Sequence, residues 1–174
     1  TGRQAYHAGY GAGAHAVAWA NYATGGRSRT LSVWWLDVET ENYWSTDTQQ
    51  NTYVIQGALD YFQRAAGKTA GIYSTSYQWS QIAADFAPPS TPNWVAGSSY
   101  LNQWSQCDRP LWPGGKAWMI QYLNYDLDLE QNAACSTREG SPDEGRGAVP
   151  PPFTFSFGVT HQVVVDRASG VVFA

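Results

Sequence analysis

Residues 34–43 read WWLDVETENY, and three of the chain's fourteen acids, Asp37, Glu39 and Glu41, stand there at alternating positions. The tryptophans, leucine and valine mark a strand made to be buried, where neighbouring carboxylates are costly. In a strand, residues i and i+2 face the same side, about 6.6 Å apart. Asp37 and Glu39 are therefore expected on one side with Val33 and Trp35, while Trp34, Leu36 and Val38 face the other way. Two carboxylates held together do not both ionise easily. One keeps a proton near neutral pH and can give it to a leaving oxygen, while its ionised neighbour stabilises developing positive charge. Glycoside hydrolysis needs that division of labour. D-x-E also suits a hard cation, and the plain structural alternative is a pair of acids capping the next helix or facing water.

The elements around this motif alternate. Residues 5–23, AYHAGYGAGAHAVAWANYA, are spaced as a helix, with Tyr6, Tyr10, Val17 and Trp19 as its larger apolar residues, and GGRSRT breaks it. Residues 30–39 form a strand whose continuous apolar run predicts burial on both faces. Residues 45–67 form the strongest helix, capped by Ser45 or Asp47, lined by Val54, Ile55, Ala58, Leu59 and Phe62, and ended by Gly67. A strand (69–75), a helix stopped by Pro88 and Pro89 (76–86), a strand (93–98), a short helix or turn and a last strand (115–123) follow. The α-β-α-β-α-β-(α)-β order predicts a parallel sheet with helical crossovers, and the C-terminal ends of its strands are where such proteins place chemistry. After residue 135 the composition changes. Residues 136–152 read as a charged, Gly- and Pro-rich linker, and 153–174 as a β-rich tail, with a hairpin around ASG, or the start of a second module.

Length and apolar content suit one domain with a real core. Charged residues make up 14% of the chain, against about a quarter in ordinary soluble domains, and nine Trp, eleven Tyr and six Phe replace them. Flat aromatic faces suit sugar rings, although an aromatic core would have the same composition. The ten cations are scattered and include two lysines, so the basic stripe of a nucleic-acid binder is missing. No segment approaches a transmembrane span. Cys107 and Cys135, 28 positions apart, fit no zinc pattern. They read as one disulfide in an oxidising compartment, with two buried thiols as the alternative. The chain opens on Thr1 without a signal peptide or an initiator Met, and the true N-terminus is expected upstream.

WWLDVETENYWS, a helix containing IQGALDYF, then GIYSTSYQWSQI, WVAG and a late QY followed by acids together resemble the family 25 glycoside hydrolases, more closely their secreted actinobacterial-type relatives. The resemblance covers residues 5–135. It implies a TIM-like (β/α) barrel, incomplete here because the family's first strand, with its own Asp, has no counterpart. It implies cleavage of the β-1,4 bond between N-acetylmuramic acid and N-acetylglucosamine in peptidoglycan, with Glu39 as general acid and Asp37 steadying the substrate's acetamido group. Asp128, with Asp126 beside it, stands for a further acid after the last strand. Tyr73, Trp94, Gln121 and Tyr122 match groove positions, and Trp35 underlies the acids. A secreted monomer acting on cell-wall glycan, without metal or cofactor and without nucleic-acid or membrane partners, is the expectation. The missing strands predict a half-built groove and an open sheet edge, and glycosidase activity is the expectation for the full-length form.

Two other readings compete. A barrel remnant could hold cell-wall carbohydrate without cleaving it. Asp37 to Thr40 also spells the D-x-E-T of two-metal exonucleases, and Tyr122 to Asp126 their Y-x-x-x-D, but the acidic, lysine-poor surface argues against nucleic acid. His7, His15 and His161 lie far apart, none beside a plausible metal partner or nucleophile, and His7 and His15 read as helix residues. Ser74, Thr75 and Ser76 read as a helix cap, since no G-x-S-x-G surrounds them. GYGAG (9–13) lacks a preceding strand and reads as a close helix contact rather than a dinucleotide fingerprint.

Overall fold

The computed structural model describes residues 1–31, 33–124 and 129–137, and the strand segments 156–157, 161–162, 164–165 and 171–173. Asp126 and Asp128 lie outside the described residues.

Helix α1 (Gly2–Ala23) starts on a capping box between Thr1 and Gln4. The face it buries is Gly9, Gly13, Ala16 and Ala20 rather than its larger apolar residues, and Trp19 is 38% exposed. The reason is close approach to α2 (Thr48–Asp60). A Cβ on Gly9 would overlap the Val54 carbonyl, and one on Gly57 the Tyr6 carbonyl. GYGAG is thus a helix-packing contact. Asp47 caps α2, its carboxylate accepting the Gln49 and Gln50 N–H groups. A π-turn over Tyr61–Ala65 follows, and Gly67, at φ +63°, lets the chain leave the helix.

Strands β1 (Val33–Asp37), β2 (Thr69–Ser74), β3 (Pro92–Ser99) and β4 (Lys116–Asn124) run parallel in that order. Helix α3 (Ser76–Ala83) connects β2 to β3, and a 3-10 stretch (Tyr100–Asp108) leads towards β4. β5 (Leu129–Ala134) was not foreseen; it pairs antiparallel with β4. β6 (Ser156–Phe157) and β7 (His161–Gln162) form a separate pair. β8 (Val164–Val165) and β9 (Val171–Phe173) form a hairpin, and β9 runs parallel along Val33–Trp35 of β1. The outer edge of β1, expected to be open, is therefore covered over those three residues. The result is a mixed α/β structure around a curled, half-barrel sheet ordered β5-β4-β3-β2-β1-β9-β8. Among the described residues no helix is long and apolar enough to cross a membrane.

The sheet separates two apolar clusters. Trp34, Leu36 and Val38 join Ile55, Leu59, Phe62 and Trp79 on the helical side, where the Trp34 and Phe62 rings stack at 5.1 Å. Trp35, Trp94 and Met119 pack on the other side, with Val33 and Tyr73 against them. A disulfide joins Cys107 to Cys135, with Cα atoms 5.6 Å apart, and so ties the stretch before β4 to the end of β5.

Candidate active site

Parallel register places Asp37, Tyr73, Trp94 and Met119 in one row across β1 to β4. Trp35, two residues before Asp37, needs room on that face, and Gly71 opposite provides it: a Cβ there would run into the indole. The Trp35 and Trp94 rings meet edge to face at 5.9 Å, and Tyr73 meets Trp94 at 4.6 Å. These rings form an apolar floor beside the acids.

Glu39 lies two residues beyond the end of β1, and its position comes from the backbone around it. Val38 N–H still bonds the Tyr73 carbonyl at 2.9 Å, and Ser74 Oγ donates to the Val38 carbonyl at 2.6 Å. Trp44 Nε1 donates to the Glu39 carbonyl (2.8 Å), Asn42 Nδ2 to the Asp37 carbonyl (3.2 Å), and Thr40 N–H to Gln78 Oε1 (3.1 Å). Sequence reasoning missed Asn42, Trp44, Ser74 and Gln78. Their partners are backbone groups distant in sequence or in a loop, and no spacing rule flags such bonds. Of the three hydroxyls read as a cap, Thr75 caps α3, accepting Gln78 N–H at 3.1 Å, whereas Ser74 holds the acid loop.

The Asp37 and Glu39 side chains share a hydrogen bond, and Glu39 also bonds Tyr73. Burial, reinforced by the charge of Asp37, raises the Glu39 carboxyl from its usual 4.5 to about 8. Burial likewise raises Asp37 from 3.8 to about 6, although its bonds to Glu39 and Asn42 pull the other way. Near neutrality Glu39 is the proton donor of the pair and Asp37 the acceptor. Asp37 Oδ1 is buried with no partner among the described residues. Tyr73 Oη donates to Gln121 Oε1 at 2.6 Å, which brings β4 into the same network. The structure thus gathers Trp35, Asp37, Glu39, Tyr73, Trp94 and Gln121. Tyr122, the next residue of β4, is half-buried. Among the described residues no three metal-ligating side chains cluster. A cavity of about 370 Å³ between α1, α2 and the loop after β1 also reaches Asp37, its one acidic lining residue. The small residues of α1 make its other walls mostly apolar.

A half-barrel with paired acids at a strand end defines a mixed α/β protein with a carboxylate pair beside an aromatic floor. The family model described as Lysozyme-like protein 1 matches residues 10–96, half of the chain. A curated relative, "Probable GH family 25 lysozyme 5" of Dictyostelium discoideum, is 31% identical over 99 residues, 56% of this chain and 34% of its own length. The chain belongs to that lysozyme-like family. It spans about a third of the length of that relative. No solved structure matches it significantly.

Proposed function

We propose that the protein is a secreted peptidoglycan hydrolase acting on the β-1,4 bond after N-acetylmuramic acid, and that its sheet is the C-terminal part of a TIM-like barrel. Family membership supports the substrate class, and the disulfide supports export. The observation that carries the chemistry is the hydrogen-bonded Asp37–Glu39 pair, with Glu39 held protonated and one Asp37 oxygen unpartnered.

Carboxyls in direct contact are too close for Asp37 to act as a nucleophile across the sugar, which needs a separation of about 5 Å or more. The substrate's own acetamido oxygen fills that role. Glu39 gives its proton to the glycosidic oxygen as the C1–O bond breaks, and the acetamido oxygen closes on C1. Asp37 Oδ1 accepts the acetamido N–H and stabilises the positive charge of the ring so formed. Glu39, now a carboxylate, takes a proton from the water that reopens that ring at C1. Trp35 and Trp94 lie under the sugar, and Tyr73 and Gln121 bond its hydroxyls; Tyr122, the residue after Gln121 in β4, alternates to the other face of the sheet. Asp128 and Asp126, between β4 and β5 in sequence, add negative charge.

Digestion of purified peptidoglycan tests this. New reducing ends are expected from the acetylated glycan, and none from the same glycan after N-deacetylation, which removes the nucleophile but leaves the general acid. Equal turnover of both would eliminate the assisted mechanism. Tight binding by the native protein with no reducing ends would assign it instead to the non-catalytic binders.

A further inference from the structure

A second built cavity, of about 310 Å³, lies at the N-terminal ends of β3 and β4, whereas Glu39 follows the C-terminal end of β1. It shares no lining residue with the Asp37–Glu39 site. One wall is the segment from Pro88 to Pro92 and the other runs from Trp112 to Lys116. Fully buried Asn93 ties the two together: its Oδ1 accepts Leu111 N–H at 2.9 Å, and its Nδ2 donates to the Thr91 carbonyl at 3.4 Å. The second wall turns at Gly114, at φ +81°, closed by Gly115 N–H on the Trp112 carbonyl at 3.0 Å. Trp112 is wedged against Trp79 at 4.9 Å. The cavity is thus formed in advance by buried groups.

Two features of its rim point to a ligand. Asn93 pairs with Ala117 and Trp94 with Met119, so Trp118 is the extra residue of a bulge. Bulges re-aim side chains, and here an indole is left 42% exposed at the cavity mouth. Lys116, one of two lysines in the chain, lies in the wall, makes no ion pair among the described residues, and has no acid among the lining residues. A flat apolar face beside an uncompensated cation is complementary to a sugar ring carrying a carboxylate.

We propose that this cavity is a second, non-catalytic glycan site that takes an N-acetylmuramic acid residue, its ring stacked on Trp118 and its lactyl carboxylate paired with Lys116. The identity of the sugar rests on the peptidoglycan reading above, while the carboxylated-ring chemistry rests on the cavity alone. Such a site would hold the protein on the wall without occupying the acids.

The test is titration with N-acetylmuramic acid, N-acetylglucosamine and glucuronic acid, followed through NMR shifts of the Trp118 indole, with binding to insoluble peptidoglycan measured in parallel. Trp118→Ala should weaken binding to the wall about tenfold, the loss of one stacked contact, and leave turnover of a soluble glycan fragment unchanged. Lys116→Gln should remove the preference for N-acetylmuramic acid over N-acetylglucosamine, and it decides the matter if Trp118→Ala does not fold. Glu39→Gln should leave the Trp118 shifts intact. Unchanged wall binding in both rim variants overturns the proposal, as does glucuronic acid or N-acetylglucosamine binding as well as N-acetylmuramic acid. Loss of binding in the rim variants of a protein that releases no reducing ends would uphold this site and remove the hydrolase reading.

Discussion

Tyr73 Oη donates to Gln121 Oε1 at 2.6 Å, a bond that reaches from β2 over β3 to β4. Trp94 of the intervening strand lies against the tyrosine ring. Such a bond needs a curled sheet, and it holds Tyr73 where it can also bond Glu39. When Glu39 ionises, the single Tyr73 hydroxyl proton can turn from Gln121 to the carboxylate, a bond that lowers the Glu39 carboxyl; Tyr73→Phe should remove it, so the carboxyl rises further. The alkaline limb of the activity profile should move to higher pH, which a kcat/KM profile would record. A limb moving down would contradict the network.

Glu39→Gln keeps the shape of the side chain and removes its proton. A loss of turnover of about 10²- to 10⁴-fold is expected for a general acid, with glycan binding retained. Reducing-end assays beside pull-down on insoluble peptidoglycan would measure both. A residual rate within tenfold of the native protein would exclude Glu39 from proton transfer.

The pair also sets the pH window. The proposed mechanism needs Asp37 ionised and Glu39 protonated, so kcat/KM should form a bell with limbs near 6 and 8. Asp37→Asn removes the charge that helps raise Glu39, but leaves burial, its larger cause. The acid limb should vanish and the alkaline limb should move down only in part.

Stability follows from the same shifts. Both carboxyls have native values above their unfolded ones, so the folded state binds these protons more tightly. Their contribution is fully present below about pH 4 and is lost as pH rises towards 8. Melting temperature should therefore fall between pH 5 and 9 in the native protein and fall less in Glu39→Gln. Partial exposure of Glu39 keeps the difference to a few degrees. Parallel curves would mean that burial does not perturb Glu39.

The α1–α2 contact gives a paired prediction. Gly57→Ala meets the Tyr6 backbone and should destabilise by about 1–3 kcal/mol despite better helix propensity. Gly11→Ala, with nothing within 4 Å, should stabilise by about 0.5–1 kcal/mol. Denaturant unfolding of the two variants would read the opposite signs.

Much of this was written locally. Apolar periodicity and caps mark α2, α3 and β1 to β4 because each of these elements buries one pattern against its neighbours. Two-residue alternation puts Asp37 on Trp35's side of the sheet. Elsewhere the deciding contacts lie far apart in sequence. LEQNAA becomes β5 because β4 offers it a ladder, although its own residues lack an apolar stripe. The helix face of α1 is glycine and alanine because α2 sits close, which a search for large apolar residues cannot detect. β9 finds β1 across the whole chain. The residue types alone determined that two acids would follow a buried aromatic strand. Only tertiary structure decided that both would lose solvent, share a proton and face Tyr73, because desolvation and register belong to the assembled sheet and not to any one segment of it.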